Sequence, residues 1–176
     1  MLMDVNELSV GLDQKIAGMI KEAGKGLILV ITKMDTLSKA TEDNTRIAKS
    51  VAANFEFVPW APLVFTSSFS GQNVTKLFEL ASEIADARKL RIKTPELNKW
   101  LRRAVAKHPP AGLKNYEPKL NYIAQEESSD PPSFKIFGSK NKYLHFSYRR
   151  YLERSFRETW PFAGTPIKFW FINKSG

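Results

Sequence analysis

Residues 27–31 read Leu-Ile-Leu-Val-Ile, an aliphatic run without one polar residue to turn toward water. A strand with one solvated face alternates apolar and polar residues, whereas a strand covered on both faces does not. The run therefore predicts a central strand of a parallel sheet clad with helices. The flanking segments agree. Upstream, Leu12, Ile16, Ala17, Met19, Ile20 and Ala23 recur at helical spacing, with Gly24 and Gly26 as a stop. Downstream, the pattern predicts a helix over 38–54, a short strand at 63–65 after Pro62, and a helix over 74–90. Helices alternating with buried strands define an α/β layer, in which a ligand belongs at the loops that follow the strands.

Beyond residues 88–93 the pattern changes. Thr94-Pro95 reads as a helix start, Thr94 as cap and Pro95 at the first helical position. A helix over 96–107 ends at His108-Pro109-Pro110. Strands at 119–125 and 134–138, a helix over 144–159 and a strand at 167–172 follow. Helix, strand, strand, helix, strand is a small α+β layer, so two domains are expected, 1–93 and 94–176. Charge divides at the same place. The whole chain carries +9, yet residues 1–90 hold ten basic and eleven acidic side chains, leaving +10 for residues 91–176. Excess positive charge confined to one domain suits a polyanionic partner of that domain.

Several classes of function are excluded or unsupported. With no cysteine, disulfide scaffolds, thiolate metal sites and cysteine nucleophiles are ruled out. His108 and His145 stand alone, read as structural residues, and no metal ligand set or catalytic residue is assigned. No apolar run nears the roughly 20 residues of a membrane span. Met1-Leu2-Met3-Asp4 has no basic head or apolar stretch of a secretory signal. A cytoplasmic protein with no membrane partner is the expectation.

Chemistry concentrates at the two strand ends of the first half. Thr32-Lys33-Met34-Asp35 leaves the aliphatic strand. A short carboxylate there accepts two parallel hydrogen bonds from an N–H/NH2 edge, which guanine presents and adenine does not. Lys33 can lay its alkyl stem over the same ring. The plainer alternative is a pair of ordinary loop charges. The next strand ends in Thr66-Ser67-Ser68-Phe69-Ser70-Gly71-Gln72-Asn73, whose backbone N–H groups can approach a base carbonyl, or whose Ser70 or Asn73 simply caps a helix. Together the two ends resemble those of a guanine nucleotide-binding domain. Thr32-Lys33-Met34-Asp35 resembles its guanine-specificity motif, with Thr32 where Asn is commoner. Ser67-Ser68 resembles its Ser-Ala motif, with Ser68 where Ala is usual. No G-x-x-x-x-G-K-[ST] phosphate loop occurs, and Ala23-Gly24-Lys25-Gly26 lacks the spacing. Without such a loop and its metal-binding segments, the chain by itself is expected not to hydrolyse GTP.

The second half narrows the resemblance. Pro95-Glu96-Leu97-Asn98, His108-Pro109-Pro110, Pro132-Ser133-Phe134-Lys135-Ile136-Phe137, 144–153 (Leu-His-Phe-Ser-Tyr-Arg-Arg-Tyr-Leu-Glu) and Gly164-Thr165-Pro166-Ile167-Lys168 resemble the C-terminal KH-like domain of the Der (EngA) tandem GTPases. The resemblance runs nearly the whole length. It implies a partial P-loop G domain, an α/β parallel sheet with helices, followed by an α+β KH-like domain of order αββαβ. It implies GTP or GDP as ligand, touched here by its guanine alone, with Mg²⁺ in the intact parent. It also implies a role in assembling the large ribosomal subunit or its precursor through rRNA contact, and parent G domains outside this chain. Residues 1–5 would then form a strand beside a vacant sheet edge, so the first half is expected to be the less stable.

On helical wheels, Leu97, Trp100, Leu101, Ala104 and Val105 form one face of the 96–107 helix, and Lys99, Arg102, Arg103 and Lys107 the other. On the later helix, Tyr148, Tyr151, Leu152 and Ser155 face inward. Arg149, Arg150, Arg154 and Arg157 face outward, with Glu153 among them. Two basic faces suit phosphate contact. Solvated faces with i,i+4 ion pairs, or docking on acidic surfaces of the parent G domains as a protein-interaction module, are the alternatives. No G-x-x-G loop joins Gly112, Gly138, Gly164 and Gly176, so binding is expected to read phosphate geometry rather than bases. Phe134, Phe137, Phe169, Trp170 and Phe171 alternate as core aromatics do, with base stacking the alternative.

Overall fold

The computed structural model describes residues 1–7, 10–37, 40–110, 112–113 and 116–173. It divides into two compact units, Met1–Arg88 with Phe162–Pro166, and Lys89–Pro161 with Ile167–Gly176. The first division falls a few residues before the expected 93/94 boundary. The second returns a short loop from the later half to the first unit.

The first unit holds β1 (Leu2–Asp4), α1 (Val10–Glu22), β2 (Leu29–Thr32), α2 (Ala40–Asn54), β3 (Leu63–Phe65) and α3 (Val74–Lys89). Its three strands are all parallel in the order β1-β2-β3. β2 is central, which is why its residues 29–31 are all buried. The aliphatic run begins two residues before the ladder because Leu27 and Ile28 bond elsewhere. The Leu27 N–H donates to the Gly164 carbonyl at 2.8 Å, and the Ile28 carbonyl accepts from the Met1 amine at 2.8 Å. Met3, Ala17, Leu29, Ile31, Ile47, Val51 and Phe55 close one core around the sheet. α1 stops as its glycine predicts. Gly24 takes φ 68, its N–H donates to the Lys21 carbonyl and the Lys25 N–H to that of Ile20, so two end carbonyls are satisfied. The expected start of α2 at Ser38 lies outside the described residues.

Phe162–Pro166 joins this unit through backbone and side chain. The Gly164 N–H donates to the Trp60 carbonyl at 2.7 Å, and Arg88 donates to Thr165 Oγ1 at 2.7 Å and to the Gly24 carbonyl at 2.8 Å.

The second unit holds α4 (Thr94–Lys107), β4 (Lys119–Gln125), β5 (Ser133–Ser139), α5 (Phe146–Thr159) and β6 (Lys168–Asn173). β4 and β5 are antiparallel, and β5 and β6 parallel, with α5 as the crossover that parallel pairing requires. The order is thus αββαβ. Thr94 lies inside α4, where it was expected as the cap; Lys93 occupies the flanking extended position and Pro95 sits in the first turn. α5 begins at Phe146 instead of 144 because Leu144 is extended and buried, held after a 3-10 turn at Asn141–Tyr143. His145 then caps α5, its Nδ1 accepting from the Ser147 N–H at 3.2 Å.

The core of this unit is aromatic. Trp100, Phe134, Phe156 and Phe169 meet at centroid distances of 4.6 Å (Phe134 to Phe156) to 6.4 Å (Trp100 to Phe169). Two polar devices fix α4. Buried Asn98 accepts from the Ile123 N–H and donates to the Ile123 carbonyl, satisfying the outer edge of β4. The Tyr148 and Tyr151 hydroxyls donate to the His108 and Ala104 carbonyls at 2.7 and 2.9 Å, at the helix end where the Ala104 carbonyl also accepts from the His108 N–H.

Candidate functional site

Parallel pairing of β2 with β3 brings both strand ends side by side. The Thr66 N–H donates to the Ile31 carbonyl at 2.7 Å, and the Met34 N–H to the Thr66 carbonyl at 3.2 Å. The chain then turns. Lys33 takes a left-handed conformation, φ 60 and ψ 35, and Met34–Thr36 make a 3-10 turn that buries Met34 and exposes Asp35. A non-glycine residue in that conformation costs about 1–2 kcal/mol, which the surrounding bonds offset.

Asp35 is fastened from the neighbouring strand. The wholly buried Ser67 hydroxyl donates to Asp35 Oδ1, and Ser67 Oγ accepts from the Ser70 N–H at 3.2 Å. A carboxylate offers about four acceptor positions, so one such bond orients Asp35 without exhausting it. The Ser67 N–H is used by the Gln72 carbonyl. Among the described residues nothing accepts from the N–H of exposed Ser68. The site thus presents an oriented carboxylate and a backbone donor at adjoining strand ends.

Thr32 and Lys33 turn away from this pair. Thr32 Oγ1 donates to the Met3 carbonyl at 3.3 Å, and the Lys33 ammonium pairs with Asp4 at 2.6 Å. Asp4 was not singled out from the sequence, because only the β1 to β2 register, Asp4 opposite Thr32, brings it there. Asn73 also gains a role: its amide donates to the Phe65 carbonyl at 2.8 Å from a backbone with φ 56.

The Lys33 ammonium beside Asp4, with the Asn6 N–H second, holds the Asp4 carboxyl below its ordinary pKa, and Asp4 in turn raises Lys33. A depressed carboxyl contributes stability above its unfolded pKa and loses it as pH falls through the folded value. A raised lysine loses its contribution only as pH rises through its folded value, above 10.5. The pair is therefore intact at neutral pH. In a carboxyl NMR titration Asp4 is expected to titrate below about 3.9, and Lys33→Ala to return it toward that value. An ordinary midpoint in the unaltered chain would exclude the pair.

The basic helix faces form in part. Lys99, Arg102, Arg103 and Lys107 on α4, and Arg149, Arg150 and Arg154 on α5, are exposed. Arg149 lies over the Phe171 ring at 4.8 Å and Arg150 over Phe146 at 4.9 Å, while Arg154 pairs loosely with Glu158 at 3.5 Å. Arg157 corrects the wheel. Its side chain is only 13% exposed and donates to Glu153 at 3.1 Å and to the Pro161 carbonyl at 3.3 Å, so it closes the helix end instead of facing solvent.

A family model described as the KH-domain-like region of EngA bacterial GTPase enzymes, C-terminal, matches residues 91–171. The protein called GTPase Der of Chloroflexus aggregans is 41% identical over 167 residues, 95% of this chain and 37% of its own length. That of Thermomicrobium roseum is 39% identical over 173 residues, 97% of this chain and 37% of its own length. The chain thus spans little more than a third of these relatives. Among solved structures, Era from Aquifex aeolicus bound to GDP·AlF4⁻ matches with a TM-score of 0.40 and 16% identity, over 98% of this chain and 64% of that one. No described helix is long and apolar enough to cross a membrane.

Proposed function

This chain carries the C-terminal part of the Der (EngA) GTPase family, and from that kinship we propose that it supplies guanine recognition and RNA contact to a GTP-binding ribosome-assembly protein. In this reading Asp35 accepts from guanine N1–H and N2–H, the Ser68 N–H donates to the base carbonyl, and Ser67 positions the carboxylate. Thr32 supports the loop through Met3. Lys33 would lay its alkyl stem over the ring, its ammonium being directed to Asp4 instead of the base. The observation that carries the reading is the Ser67 hydroxyl on Asp35, joining the two strand ends.

The residues present suit the base of GTP or GDP, not its phosphates or Mg²⁺. Among the described residues no cluster of His, Asp or Glu has the arrangement of a metal site. The full-length protein would hold those groups through other segments, and no hydrolytic step is assigned to residues of this chain. The second unit would meet rRNA of the large ribosomal subunit or its precursor in the cytoplasm, through Lys99, Arg102, Arg103, Lys107, Arg149, Arg150 and Arg154.

Salt dependence tests the RNA half. Six phosphate contacts predict about a 10³-fold loss of affinity for a structured RNA between about 50 and 200 mM salt. Replacing Lys99 and Arg102 by Gln is expected to flatten the slope by about one per lost contact. No RNA affinity at low salt would instead favour docking of these faces on the protein's own G domains.

A further inference from the structure

The aromatic residues of the second unit divide between the two faces of its sheet. Phe134 and Phe169 face the helices, packed against Trp100 and Phe156, and Phe171 on that face is covered by Arg149. The opposite face exposes Tyr122, Trp170 and Ile172. The register gives its composition: one row is Tyr122, Phe137 and Ile172, and the next is Ala124, Lys135 and Trp170. Tyr122 and Phe137 meet at 5.9 Å, and Tyr122 and Trp170 are 41% and 49% exposed. Soluble proteins seldom leave tryptophan and tyrosine together on open sheet without using them.

Charge selects the occupant. At one end of this face stand Lys168, exposed at the start of β6, Lys135, and Arg91, whose guanidinium donates to the Glu126 carbonyl. Against them stands Glu126, 2.8 Å from the Lys135 ammonium. Glu127 and Asp130 are exposed in the loop beyond, so the polyanion is favoured by the +10 of residues 91–176 together with Lys168, Lys135 and Arg91, not by the local balance alone. Tyr122 and Trp170 stand two strand spacings across and one row along from each other, about 12 Å, room for more than one stacked base. Sheet aromatics flanked by cations are how open β-surfaces hold unpaired RNA bases.

We propose that the open face of β4-β5-β6 is a stacking platform for single-stranded RNA, with Tyr122 and Trp170 as the rings and Lys168 and Arg91 as backbone contacts. The proposal rests on the reading that this unit binds RNA, but assigns a second surface, distinct from the basic faces of α4 and α5, and a different RNA form. Both rings are half exposed, so their removal leaves the core intact.

The test measures binding of the whole 176-residue chain to a labelled oligouridine of about twelve nucleotides and to a blunt RNA duplex of equal length, at one salt concentration. Stacking predicts that Trp170→Ala and Tyr122→Ala each weaken oligouridine binding by about tenfold or more and leave the duplex unchanged. Trp170→Phe keeps a π-face and should largely restore affinity. Oligouridine affinity unchanged in both alanine variants, or equal losses for oligouridine and duplex, overturns the platform while leaving RNA binding by the helices standing. If the unaltered chain binds neither RNA at low salt, the wider RNA reading falls and the platform with it.

Discussion

Replacing Asp35 by Asn is expected to exchange a preference for guanine for one for xanthine. Guanine presents two donors, N1–H and N2–H, and a carboxylate oriented by Ser67 can accept both. Asparagine offers one acceptor and one donor, so its amide faces the guanine N2–H with a second donor. Loss of one charge-assisted bond, at about 1.5–3 kcal/mol, together with a donor left unpaired, predicts at least about a 10²-fold fall for guanine. Xanthine, with N1–H and a carbonyl at position 2, matches the amide. Titrating the chain with GMP and with XMP by NMR isolates the base, since the phosphate is common to both. Shifts are expected at Thr32–Asp35 and Ser67–Ser70 with GMP in the unaltered chain, and with XMP in Asp35→Asn. A GMP to XMP ratio unmoved by the substitution would remove Asp35 from base recognition.

Ser67→Ala separates positioning from contact in the same experiment. It leaves the carboxylate in place but removes the hydroxyl that orients it, so affinity for GMP should fall while the guanine preference persists. Asp35→Asn changes the preference itself.

Both strand ends were legible because their signals are local. An aliphatic run announces a central strand, and the residues that leave it must lie at its carboxyl end. What stayed hidden was non-local. The Asp4 to Lys33 pair follows from a register between strands separated by a helix, and no periodicity states a register. The helical wheel placed Arg157 by angle alone, but Pro161, just past the helix, offers a carbonyl that turns the guanidinium back. The alternating aromatics were visible as a set. Which of them is core and which is surface depended on where the helices pack, and the register shift between Leu120 and Tyr122 puts Tyr122 on the open face. The boundary at 93 shows the same limit, because pattern reading divides a chain once, whereas Phe162–Pro166 crosses back into the first unit.

That returning loop makes Gly164 a position where one added methyl group should cost the first unit heavily. Gly164 has φ +67, and a Cβ there would lie 2.1 Å from Ile84 Cδ1 and 2.3 Å from Ile84 Cγ1. Ile84 is buried, and the loop cannot retreat without giving up bonds to Leu27 and Trp60. Left-handed backbone costs about 1–2 kcal/mol outside glycine and overpacking about 1–3 more, so Gly164→Ala is expected to lose about 2–5 kcal/mol from the first unit. That unit has little to spare: its sheet strands are three, four and three residues long, against seven, seven and six in the second. Hydrogen exchange should show weaker protection of β1-β2-β3 than of β4-β5-β6 in the unaltered chain, and equal protection would contradict it. In Gly164→Ala the Leu27 and Val30 amides should exchange near the rate of open chain, while the ladder of the second unit keeps its protection. Ile84→Ala removes the clash but itself opens a cavity, so Gly164→Ala is compared in that background, where its cost is expected to be smaller but not zero. A cost of zero there would assign the whole effect to packing, and an unchanged cost would assign it to the left-handed turn.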